Sequence, residues 1–76
     1  MSELLAYLAR ELVDDPGAVH VESEERDGAI VLLLHVAPDD VGKVIGRQGR
    51  IARALRTIVR AGGPHAGRRL QLEIAG

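Results

Sequence analysis

Apolar positions fall in short blocks, and their spacing changes along the chain. Leu4, Leu5, Leu8 and Leu12 recur at helical intervals among Glu3, Arg10 and Glu11, which predicts an amphipathic helix over residues 3–13. Ser2 is a candidate N-cap, and Asp14, Asp15, Pro16 and Gly17 end the helix. The pattern then shifts to a period of two. Val19, Val21 and Ser23 alternate with His20, Glu22 and Glu24, as in a half-exposed strand. Asp27-Gly28 is a hairpin-turn pair. Residues 29–37, AIVLLLHVA, are apolar on both faces and should form the most buried strand. Pro38, Asp39 and Asp40 suit the first turn of a short helix, DDVGKVI. Gly46-Arg47-Gln48-Gly49 interrupts it, and RIARALRTIVRA forms the next helix, closed by Gly62, Gly63 and Pro64. In RRLQLEIA, Leu70, Leu72 and Ile74 alternate inward with Arg69, Gln71 and Glu73 outward. The order α-β-β-α-α-β predicts an α+β fold, one three-stranded sheet with three helices on one face.

Length and composition narrow this picture. A chain of 76 residues buries only about 60% of the surface its unfolded form exposes, so residues 1–76 are read as a single domain. Cysteine is absent, which excludes a disulfide framework and thiolate metal sites. No apolar run approaches the ~20 residues of a membrane helix. MSELLAYLAREL lacks the basic n-region of a signal peptide, and a cytoplasmic protein is expected.

The formal net charge of −1 conceals a split. Residues 1–40 carry two Arg against ten acids, whereas residues 41–76 carry eight cations against one acid. Such asymmetry points to a polyanion site or an oppositely charged partner. Tyr7 is the only aromatic residue besides three His. The chain therefore lacks the exposed rings on which many sheet-based nucleic-acid binders stack bases.

Candidate chemistry concentrates in residues 41–55, VGKVIGRQGRIARAL. A plain helix–helix connection needs one glycine at a C-cap. Here Gly46 and Gly49 bracket Arg47 and Gln48, leaving bare backbone at both ends where another backbone can come close. The following helix aims its free N–H groups and positive dipole end at that spot. Arg47 and Arg50 add cations, so the segment suits phosphate on a flexible polyanion. Ile51, Ala54, Leu55 and Ile58 cluster on the sheet side of that helix, and Arg50, Arg53, Arg56 and Arg60 oppose them. Arg56 and Arg60 are read as a solvated face. Neither a Walker A loop nor a dinucleotide-binding fingerprint fits: Val44 follows Gly42-Lys43, and a helix separates the loop from the preceding strand.

VIGRQGRIARAL resembles the KH-domain signature: an apolar pair, then G-x-x-G, then an isoleucine shortly after, here Ile51 two residues past Gly49. The α-β extension ahead of a β-α-α-β core resembles the type II arrangement of bacterial KH domains. From Leu4 to Ile74 the chain is similar to the KhpA family of small stand-alone bacterial KH proteins, most clearly in PDDVGKVIGRQGRIARALRT, residues 38–57. The resemblance implies RNA binding through a loop that clamps about four nucleotides. Gly46, Arg47, Gln48 and Gly49 would form the clamp, Val44 and Ile45 the end of the helix before it, and Ile51 part of the apolar groove floor or of the core beneath it. Lys43, Arg50 and Arg53 would extend the basic edge. It further implies a cytoplasmic RNA chaperone, a homodimer or a heterodimer with a KhpB- or Jag-like multi-domain KH protein, and a link to cell-envelope homeostasis and cell length. Arg stands where the family often has Lys, within and after the loop.

Other residues support no competing chemistry. His20, His35 and His65 lie on separate elements. His35 is expected as a satisfied sheet histidine, and His65 in GGPHAG as an idle loop residue. No nucleophile–base set is evident around Ser2, Ser23 or Thr57, so no enzyme is expected. Glu22, Glu24, Glu25, Asp27, Asp39 and Asp40 lack metal-loop spacing and read as a solvated face. No metal or other cofactor is expected. The competing reading is a protein-interaction or dimerisation module with incidental RNA binding.

Overall fold

The computed structural model describes residues 1–62 and 68–75. Helix α1 spans Ser2–Leu12, strands β1 and β2 span His20–Arg26 and Ala29–His35, helices α2 and α3 span Val41–Ile45 and Arg50–Ala61, and strand β3 spans Leu70–Ala75. Short 3-10 turns at Pro16–Ala18, Pro38–Asp40 and Arg47–Gly49 complete the path. The expected α+β order is present. Gly63, Pro64 and His65 lie outside the described residues.

The sheet order is β1-β2-β3, antiparallel between β1 and β2 and parallel between β2 and β3. Asp27 and Gly28 both have positive φ, 53° and 79°, as a two-residue type I′ hairpin turn requires. The apolar run of β2 therefore becomes the central strand. Its even residues Leu32 and Leu34, followed by Val36, join Leu72 of β3 in one core beneath the helices. On the opposite face Val31 is also buried. There Arg26 of β1 reaches across β2 to Glu73 of β3, with Nη1 2.7 Å from Oε1, and also pairs with Glu24. A charged strap thus covers an apolar strand that no helix covers.

Two helical faces are rotated from their expected positions. In α1 the buried residues are Leu5, Ala6 and Ala9, while Leu4 and Tyr7 are exposed. Small alanines let α1 lie close to the sheet, and this turns Leu4 outward. Met1, not Ser2, occupies the N-cap position, with no side-chain cap. In α3 the buried stripe is Ala52, Leu55 and Val59, flanked by half-buried Ile51 and Ile58, and Ala54 is exposed. The stripe centres on Leu55 with its neighbours three and four residues away, the spacing of one helix face.

Candidate nucleic-acid interface

Helix α2 is anchored at both ends before it reaches the loop. Val44 is completely buried in the core. At the other end Asp40 is buried, and its Oδ2 accepts the Asp15 N–H at 3.0 Å. Lys43 Nζ lies 3.0 Å from Asp14 Oδ2 and 3.3 Å from Asp40 Oδ1. Burial pushes the Asp40 carboxyl up. The backbone amides of Asp15 and Asp14 and the Lys43 ammonium together outweigh that and hold it below its ordinary value. Asp14 and then Asp40 raise the Lys43 ammonium in turn. Asp40 is thus no part of a solvated acidic face. It ties α2 to the connection between α1 and β1. Lys43, a candidate phosphate contact by sequence, already has two carboxylate partners.

The G-x-x-G turn then places three unusual conformations within four residues. Gly46 has φ 75° and ψ 174°, Gln48 φ 57°, and Gly49 φ 72°. Such values are cheap for glycine and uncommon for glutamine. The two glycines serve different ends. A Cβ at Gly46 would lie 2.7 Å from Cγ1 of Ile51. Ile51 therefore occupies the space beside Gly46, and that glycine is needed for packing within the chain. A Cβ at Gly49 would meet nothing within 4 Å. The two glycines thus differ in what lies where a side chain would be: Ile51 at Gly46, open space at Gly49.

Around that opening the side chains are available. Gly49 is the N-cap of α3, and no side chain caps the helix there. Arg47, Gln48, Arg50 and Arg53 are exposed. Arg50 Nη2 donates to Gln48 Oε1 at 3.2 Å, which ties the two across the loop. Among the described residues, no carboxylate forms an ion pair with Arg47, Arg50, Arg53, Arg56 or Arg60. Arg26 and Arg68, in contrast, pair with Glu24, Glu73 and Glu25. Ile45, at the end of α2, leaves 39% of its surface exposed beside the loop. The arrangement is an apolar residue, open backbone and uncompensated cations within one short segment. Such a segment can take phosphate groups and an apolar base face together.

Two histidines depart from expectation. His20 and His35 are direct cross-strand partners, and the Nε2 of His35 is buried without a hydrogen-bond partner. His35 is therefore not the satisfied sheet histidine expected from its apolar strand. The signal that could have found this pairing is the Asp27-Gly28 turn, since a two-residue hairpin sets position 20 opposite position 35. His65 lies outside the described residues. No helix among the described residues is long and apolar enough to cross a membrane.

Comparison with known proteins adds to this geometry. The family model for the KH domain of KhpA/KhpB matches residues 2–74. The RNA-binding protein KhpA of Treponema pallidum is 54% identical over 72 residues, covering 95% of this chain and 90% of that protein. The RNA-binding protein KhpA of Clostridium perfringens is 46% identical over 74 residues, covering 97% and 99%. That of Aquifex aeolicus is 47% identical over 74 residues, covering 97% and 94%. No solved structure matches the chain significantly.

Proposed function

Since the chain belongs to the KhpA/KhpB family of KH domains, we propose that it is a non-catalytic RNA-binding protein that clamps single-stranded RNA at the Gly46–Gly49 loop. The observation that carries this reading is the open backbone at Gly49, beside an uncapped helix start and Arg47 and Arg50, which form no ion pair among the described residues. Arg47 and Gln48 contact phosphates, Arg50 and Arg53 extend the basic edge, and Ile45 and Ile51 offer apolar surface to bases. Lys43 holds α2 in place and contributes to the field near the loop. The near absence of aromatic residues suits base contact by van der Waals packing over ring stacking. Fluorescence anisotropy with a short single-stranded RNA and the same sequence as a duplex tests the substrate class. The single strand binds more tightly under this reading, and equal or tighter duplex binding would refute it.

Relatives named RNA-binding protein KhpA support extending the reading to cells. We propose a cytoplasmic RNA chaperone that acts with a KhpB- or Jag-like partner in gene expression, envelope homeostasis and cell length. Recovery of crosslinked transcripts and partner proteins from cells tests it directly. Loss of both on changing Arg47 and Gln48 to Asp would place RNA upstream of the partner contact.

A second reading has its own observation. Leu4 and Tyr7 leave 47% and 57% of their surface exposed on the outer side of α1, a side suited to protein contact. If Leu4→Asp with Tyr7→Asp abolishes dimerisation while RNA binding persists, the protein-interaction role resides on α1. The loop then retains the RNA role.

A further inference from the structure

His20 on β1 and His35 on β2 stand opposite each other in the antiparallel register. Glu22 follows His20 by two residues, so all three side chains share the sheet face that carries no helix. The imidazole rings stack with centroids 4.3 Å apart and planes 8° from parallel. Glu22 Oε1 lies 3.1 Å from His20 Nε2 and 3.4 Å from His35 Nε2. The first contact is a hydrogen bond. The second is not: His35 Nε2 is buried and has no hydrogen-bond partner. A buried polar atom left unmatched is costly, and here it lies 3.4 Å from a carboxylate oxygen with a second imidazole stacked on its ring.

We propose that His20, Glu22 and His35 form a three-ligand site for a divalent transition-metal ion, Zn²⁺ in the first instance. One ligand atom from each residue lies within 4.8 Å of the others. Tetrahedral zinc with bonds of about 2.0–2.2 Å holds its ligand atoms about 3.4 Å apart, close to the two separations from Glu22. Imidazole and carboxylate donors suit zinc and also nickel and copper. In near-parallel planes the two rings do not converge on one point. Binding therefore tilts them toward one another about their side-chain torsions, which exposed His20 on an edge strand permits. The ion displaces the His20–Glu22 hydrogen bond and gives His35 Nε2 a partner. Water completes the coordination. Two ligands on β1 and one on β2 make the ion a clip across the edge of the sheet, at the end from which β2 runs on to α2. The proposal is independent of RNA binding.

Calorimetric titration of the full chain with Zn²⁺ tests it. One ion per chain binds, and Zn²⁺ raises the Tm. His20→Ala and His35→Ala each weaken binding by at least about tenfold and remove the rise in Tm, whereas His65→Ala leaves both unchanged. With Cu²⁺ in place of Zn²⁺, electron paramagnetic resonance reports two nitrogen ligands, one fewer in either variant. Absence of one-to-one binding at micromolar Zn²⁺, or equal affinity in the wild type and His20→Ala, overturns the proposal. Circular dichroism checks that the variants are folded. Because His20 is exposed on an edge strand, its variant decides the matter even if His35→Ala unfolds.

Discussion

An alanine methyl at Gly46 would lie 2.7 Å from the Ile51 side chain, on a backbone with φ of 75°. Positive φ costs an alanine about 1–2 kcal/mol, and forced overpacking adds about 1–3 kcal/mol. Gly46→Ala should therefore destabilise the domain by about 2–5 kcal/mol in urea titrations. Gly49→Ala meets only the backbone cost of about 1–2 kcal/mol, because its surroundings are open. If that opening receives phosphate, Gly49→Ala weakens RNA binding by more than its loss of stability accounts for. Unchanged affinity at protein concentrations where the variant is fully folded would contradict this. The motif itself was legible in the sequence, as were the cations beside it. The difference between its two glycines was not, because it depends on where Ile51 folds back after the turn.

At the scale of the elements, the tie between Asp40, Asp15 and Lys43 sets where α2 delivers the loop. Asp40→Asn should lower the Tm by roughly 4–8 °C, about the loss of one good hydrogen bond in a domain of this size. Because the folded carboxyl titrates below its ordinary value, its contribution is fully present above that value and fades as pH falls through the lowered one. The variant should therefore show a shallower loss of stability on acidification below about pH 4, measured by thermal melts across pH. A parallel acid limb in both proteins would show that Asp40 is not the titrating tie. Leu55→Ala, at the centre of the buried stripe of α3, should cost about 2–5 kcal/mol through the cavity it leaves. The helices, the hairpin and the alternation of β3 were legible from periodicity, and so was the central burial of β2. The faces of α1 and α3 were offset because alanines, weak in any hydrophobic pattern, decide how closely a helix approaches the sheet. Asp40 read as one of several surface acids, since its burial arises from a contact 25 residues away in the chain.

Across the whole molecule the charge split becomes spatial. Several of the early acids neutralise Arg26, Lys43 and Arg68. The arginines of the loop and α3 are left without such partners among the described residues. The net charge of −1 is therefore a poor guide to binding, and the local field is the relevant quantity. RNA affinity should fall with salt by about 0.7 log units per log of salt for each phosphate neutralised, and Arg47→Ala should lower that slope by about 0.7. The site proposed for RNA is the Gly46–Gly49 loop. It is tested most directly by titrating a short single-stranded RNA into the wild type and the double variant Arg47→Asp, Gln48→Asp. Both positions are exposed, and aspartate tolerates the left-handed backbone at Gln48 better than most residues, so the fold should survive. The double variant should lose affinity by at least about tenfold, or about 1.4 kcal/mol, with the Tm and oligomeric state unchanged. Undiminished binding by the folded variant would contradict it.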